Sequence, residues 1–179
     1  MKRFPLFFAL VLPLAAQQSF DFKSLDKLGA KARDATNITL EGDTLKLAAN
    51  FLGSDKDTES LKSLVANLKS INVRSWEYER DGMYKDADLD PFRAYLRTMQ
   101  WPKIVEVKEN GESSEVYLKS GDASRTGGIA VISAEPQELT IVFIEGAISV
   151  ADLAKLNLDA LKHGTTGAPK SNANGKKEE

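Results

Sequence analysis

Three aspartates at alternate positions, Asp86-Ala87-Asp88-Leu89-Asp90, have the one-three-five spacing with which a calcium loop supplies its first carboxylate ligands. The rest of such a loop is missing. Its sixth position is Pro91 where the sharp turn needs Gly, and its twelfth is Arg97 where a bidentate Glu belongs. Helix capping is the stronger reading of the run, with a weak cation site as the alternative. Ser24-Leu25-Asp26-Lys27 matches the Ser-x-x-Lys of penicillin-binding enzymes, and Arg125-Thr126-Gly127 is close to their Lys-Thr-Gly. The Ser-x-Asn element expected between them is not evident, and patterns this short arise by chance. The single histidine, His163, stands at the start of a polar tail, where a general base would lack the fixed geometry it needs. Glu77, Glu79, Asp81 and Asp86 cluster near a strand end. Two carboxylates held about 5 to 9.5 Å apart suffice for glycoside hydrolysis, so a carboxylate-dependent hydrolase stays among the expectations.

The most suggestive residues are Arg74, Trp76, Tyr78 and Arg80, which strand geometry puts on one face, with Val73, Ser75, Glu77 and Glu79 on the other. Aromatic and arginine side chains dominate interaction hot spots, so this face is a candidate interaction surface. Its alternative is a core role, with Trp76 and Tyr78 buried and the arginines reaching the edges. Cysteine is absent, which removes disulfides, thiolate nucleophiles and thiolate metal sites together. Catalytic, cofactor-binding and metal-binding residues are accordingly assigned to none, and no cofactor is expected.

The elements that must position these residues are legible from periodicity. Phe22, Leu25, Leu28 and Ala32 recur at helical spacing and predict a first helix ending near Asp34, weakened by Gly29 inside it. Asn37 to Leu40 alternates as a short strand. Asp43 then caps a helix carrying Leu45, Ala48, Phe51 and Leu52, which Gly53 ends. A helix from Asp57 carries Leu61, Leu64, Val65 and Leu68, and Val73 to Arg80 reads as a strand. Asp88 or Asp90, with Pro91 in the first turn, opens a helix bearing Phe92, Tyr95, Leu96 and Met99, which Trp101-Pro102 breaks. Four strands follow, Ile104 to Lys108, Glu115 to Leu118, Gly128 to Ser133 and Leu139 to Ile144. The links between them, Asn110-Gly111, Ser120-Gly121-Asp122 and Glu135-Pro136, are short enough to favour antiparallel pairing. Gly127-Gly128 leads into a strand, not a helix N-terminus, and predicts a bend or bulge in place of a phosphate loop. A last helix runs from Ser149 to about Leu161. The sum is a two-layer α+β domain, a mainly antiparallel sheet with helices packed chiefly on one face.

At the N-terminus, Lys2 and Arg3 precede an apolar run from Phe4 to Leu14, and Leu14-Ala15-Ala16 offers small residues for cleavage. The apolar run is well short of the roughly 20 residues that span a bilayer, so residues 1–16 are expected to be a signal peptide, with no membrane span. Residues 20–162 form the single domain. Residues 163–179 have hardly an apolar side chain to offset ordering entropy and are expected to be a disordered tail. The formal net charge is −2, with 24 basic residues interspersed among 26 acidic ones. Nucleic acid, which selects clustered Lys and Arg, is excluded as a partner.

Two stretches carry a resemblance. One is Met99-Gln100-Trp101-Pro102-Lys103-Ile104-Val105-Glu106-Val107; the other is Gly127-Gly128-Ile129-Ala130-Val131-Ile132 followed by Glu138-Leu139-Thr140-Ile141-Val142-Phe143-Ile144-Glu145-Gly146 and Leu153. On them, the chain from about Leu25 to Leu161 resembles the domain of unknown function 4252 family of exported bacterial proteins. The resemblance implies a place in the bacterial envelope, and a link to envelope stress signalling because members are encoded near alternative sigma factor systems. Some members are lipoproteins, and this chain lacks the Cys that lipidation requires. The expectation is a periplasmic or secreted, non-enzymatic binding or interaction module, its partner an unidentified envelope protein or small ligand and its oligomeric state open. The alternatives are the carboxylate-dependent hydrolase and a structural envelope protein.

Overall fold

The computed structural model describes residues 19–51, 62, 64–122 and 125–149. The expected signal peptide, most of the helix expected from Asp57, the helix expected after Ser149 and the expected tail with His163 lie outside the described residues; Ser149 itself ends a strand. Six strands form one sheet: β1 (Asp34–Glu41), β2 (Leu68–Glu77), β3 (Lys103–Glu109), β4 (Glu112–Lys119), β5 (Arg125–Ala134) and β6 (Glu138–Ser149). Their order is β1-β2-β6-β5-β4-β3, and every neighbouring pair is antiparallel. The helices are α1 (Asp26–Gly29), α2 (Gly42–Phe51) and α3 (Asp90–Thr98), with 3-10 turns over Phe22–Leu25 and Asp86–Leu89. The architecture is α+β.

Alternation along the central strands divides the core between the two sheet faces. Trp76, Ala130, Ile132, Leu139, Ile141 and Phe143 face one side, where Leu25 and Leu28 and the α3 residues Phe92 and Leu96 close over them. Val73, Ile129, Val131, Val142, Ile144 and Ile148 face the other, with Leu64 among them. β5 and β6 thus read as near-continuous apolar runs because both of their faces are covered. Pairings such as Ile132 with Ile141 and Val131 with Val142 keep like faces together; a slip of one residue would exchange the two cores.

Local chemistry explains the links. Asn110 and Gly111 both take positive φ, 49° and 86°, and join β3 to β4 in a two-residue turn. The register between β5 and β6 shifts between Thr126 and Gly128, so the expected bulge is present. A Cβ on Gly128 would lie 2.7 Å from the Trp101 ring and 2.5 Å from the Ile144 carbonyl oxygen. Glycine here lets the indole lie against the sheet.

Some boundaries differ from expectation. The first helix is a 3-10 turn followed by the single turn of α1, in keeping with the cost of Gly29. The strand expected over Val73 to Arg80 begins at Leu68 and ends at Glu77, because β1 and β6 supply partners along that span and Tyr78 N–H turns to the Gln137 carbonyl.

Candidate functional site

The four residues of the expected interaction surface do not form one. Trp76 is 3% exposed and Tyr78 1%, both inside the core beneath α1. The face that alternation assigned to them is the face the first helices cover: Tyr78 Oη–H donates to the Leu28 carbonyl at 3.4 Å, and a Cβ on Gly29 would come within 3.3 Å of Trp76 Nε1. Arg74 is half-buried, its guanidinium 4.8 Å over the Phe22 ring and donating to the Ile38 and Val73 carbonyls and to Thr39 Oγ1. Arg80 lies beyond the strand and is exposed. Burial is the correction, and the aromatics at this place stabilise the fold.

Most of the carboxylates singled out in the sequence are held by separate donors, while Glu79 is exposed and makes no hydrogen bond or ion pair among the described residues. Asp86 accepts from Arg93 Nη2 at 2.6 Å, while Asp88 accepts the Lys85 N–H at 2.9 Å and pairs with Lys27 at 3.0 Å. Both carboxyls are held below their ordinary range, Asp86 by the Arg93 hydrogen bond and Asp88 by the backbone N–H of Lys85. The one-three-five run is a 3-10 turn in which Asp88 caps back onto Lys85, whereas α3 itself opens at Leu89 without a side-chain cap and Asp90 is its first residue, not the N-cap expected there. Glu77 and Asp81 line an open groove of about 490 Å³ with Arg33, Glu135, Gln137 and Glu138. Arg33 holds Glu77 at 2.5 Å, and Gln137 Nε2 donates to Asp81 at 2.9 Å. Among the described residues, no group of three acidic or histidine side chains is disposed to hold a metal ion.

A different site emerges where α3 ends. Trp101 N–H returns to the Leu96 carbonyl at 2.8 Å and Gln100 N–H to the Arg97 carbonyl at 3.1 Å. This is the double bond of a Schellman motif, with Gln100 at φ 57° in the position that glycine ordinarily takes. The motif drives Trp101 into the core, where it is 2% exposed and stacks on Phe143 at 4.9 Å. Its Nε1 has no hydrogen-bond partner among the described residues. Chain reversal at Pro102 then starts β3. Between the end of α3 and the two hairpin strands lies a cleft of about 510 Å³, walled by Trp101, Pro102 and Tyr117 and rimmed by Arg93, Arg97, Gln100 and Lys103.

The charges of this cleft are organised around Glu115, whose side chain is 2% exposed. Arg93 grips it through Nη2 to Oε1 at 2.6 Å and Nε to Oε2 at 3.3 Å, Tyr117 Oη–H donates to the same Oε2, and Lys103 Nζ stands 3.7 Å from it. Burial alone would raise the Glu115 carboxyl, but the hydrogen bonds from Arg93 and Tyr117 and the nearby cations outweigh it and leave it below the usual carboxylate range. Burial also pushes the Tyr117 phenol upward, and its bond to Glu115 adds to that. Arg93 is thus neutralised by Glu115 and Asp86, and Lys103 is paired with Glu106 at 2.8 Å. Arg97 is exposed and its side chain makes no ion pair or hydrogen bond among the described residues.

None of these cleft residues carries a chemical motif, and sequence reading passes over them. The signal that could have found them is the pair Glu115 and Tyr117, two polar-tipped side chains on one strand face opposite Arg93 of an amphipathic helix. No described helix is long and apolar enough to cross a membrane. No curated protein and no solved structure matches the chain. The model of the family described as Domain of unknown function (DUF4252) matches residues 28–156, and the chain belongs to that family.

Proposed function

We propose that this DUF4252-family chain is a non-enzymatic binding module of the bacterial envelope, exported by its N-terminal leader, and that the cleft at the end of α3 holds its ligand. The observation that carries this reading is Arg97, an unpaired cation at the rim of an apolar-walled cleft. Such a site suits a small molecule with a flat apolar body and one anionic group. Pro102 and the aliphatic stems of Arg97 and Lys103 supply most of the contact area above the nearly buried Trp101 and Tyr117 rings, Arg97 the counter-charge, and Gln100 a hydrogen bond. The Glu115 cluster fixes Arg93 and Tyr117, so the walls are set before the ligand arrives. The hydrolase reading is less favoured because Glu77, Asp81 and Asp86 each already have a donor. Envelope stress signalling would follow if ligand occupancy altered a partner's binding.

The test is a titration with naphthoate against naphthamide, followed by the two indole N–H resonances of the chain, which contains two tryptophans. Naphthoate is expected to move the Trp101 signal and leave Trp76 unmoved, with naphthamide at least tenfold weaker. Arg97→Gln should erase the preference for the acid. An unmoved Trp101 signal with both probes, at concentrations that saturate ordinary weak sites, would overturn the assignment.

A further inference from the structure

β3 ends the sheet, so one of its backbone edges has no strand beside it among the described residues. All seven of its residues are exposed, and Ile104, Val105 and Val107 remain 52%, 42% and 50% exposed. Such an edge is a pairing template that natural proteins protect or use. Which backbone groups it offers follows from the turn. In a two-residue hairpin the residues flanking the loop, here Glu109 and Glu112, exchange hydrogen bonds with each other. Backbone direction alternates from there, so Glu109 and Val107 turn their N–H and C=O toward β4 while Lys108 and Glu106 present theirs outward.

We infer that a second copy of this chain pairs antiparallel along this edge, with Val107 opposite the partner's Val107 and Glu106 opposite the partner's Lys108. Charge complementarity selects both occupant and register. Outward-facing groups must meet outward-facing groups, which restricts pairing to steps of two residues. One step either way sets Glu106 against the partner's Glu106 or Lys108 against the partner's Lys108, and like charges directly opposite are unfavourable. In the chosen register the pairing of Glu106 with the partner's Lys108 occurs twice, adding to the ion pairs of Glu106 with Lys103 and Lys108 of its own chain, and Val107 meets its own copy on the other face, where the aliphatic exposure lies. The register shift between Lys103 and Val105 interrupts the ladder at the far end and keeps the pairing short, and because Val107 meets its own copy the contact is isologous and closes as a dimer. This inference is independent of the ligand cleft.

The chain has no cysteine, so a single introduced thiol reports on one contact. In the inferred dimer Val107→Cys places two thiols in a directly opposed pair without cross-strand hydrogen bonds, the close geometry that a disulfide needs, whereas Val105→Cys faces the partner's Glu109. Mild oxidation should therefore link Val107→Cys into dimers and leave Val105→Cys mostly monomeric. Sedimentation should show concentration-dependent dimers of the parent chain. Glu106→Lys and Lys108→Glu should each weaken association about tenfold, and the double variant should restore it. Circular dichroism of each variant checks folding, which these exposed positions leave intact. Four results would each overturn the inference: a monomer up to roughly millimolar concentration, beyond which weak association carries no meaning; cross-linking through Val105→Cys in place of Val107→Cys; charge reversals without effect; or failure of the double variant to recover.

Discussion

Glu115 shows how a buried charge is kept. Its carboxylate is 2% exposed and receives Arg93 and Tyr117, whereas Asp86, the other partner of Arg93, is 73% exposed. Removing the buried partner leaves Arg93 poorly compensated, so Glu115→Gln is expected to cost about 3 kcal/mol, while Asp86→Asn should cost below about 1 kcal/mol because water replaces it. Urea midpoints of the two variants measure the contrast. Gln100 is the second telling residue. A non-glycine side chain in the left-handed region costs about 1–2 kcal/mol in backbone energy, and glycine there gives part of that back as unfolded-chain entropy. Gln100→Gly should therefore stabilise the fold by roughly 0.5–1 kcal/mol and still weaken naphthoate binding by about threefold to tenfold through the lost amide. A thermal scan beside the titration separates the two effects.

At the scale of elements, the turns and central strands were legible in the sequence and the faces were not. Asn110-Gly111, Glu135-Pro136 and the apolar runs of β5 and β6 specify their structure locally, and all stand where expected. Alternation likewise sets Arg74 and Trp76 on one face of β2, but it cannot say which face the helices cover, since that depends on where Leu28 and Gly29 return in space. The same limit hid the cleft at the end of α3. Arg93, Arg97, Gln100, Glu115 and Tyr117 converge only through the Schellman turn and the β3–β4 hairpin, neither of which leaves a chemical motif. Because Trp76 lies in the core, Trp76→Ala should cost about 3–5 kcal/mol, and loss of any binding in that variant would report unfolding instead of a lost contact. Calorimetry on the variant decides this.

For the whole molecule, the titrating groups predict one pH profile. Glu115, Asp86 and Asp88 are held below their ordinary range, and Glu106 is drawn down to about 2 by hydrogen bonds from Lys103 and Lys108. A carboxyl depressed by folding contributes its full stability above its unfolded value, near pH 4, and loses it as pH falls through the folded value. Stability should therefore decline below about pH 4 and steepen toward pH 2. Tyrosines act in the opposite sense: burial first pushes Tyr84 up to about 12, with the charges of Glu135 and Asp86 adding, and Tyr78 and Tyr117 also rise. Their folded forms hold the proton more tightly than the unfolded chain, so their contribution is complete below about pH 10 and is lost above it. The one histidine, His163, lies outside the described residues. Between about pH 5 and 9 nothing in the described core changes charge, and urea midpoints should be flat across that window. An unfolding free energy from those midpoints that moves by more than about 1 kcal/mol between pH 6 and 8 would place a titrating group in contact with the core, with His163 the first to replace.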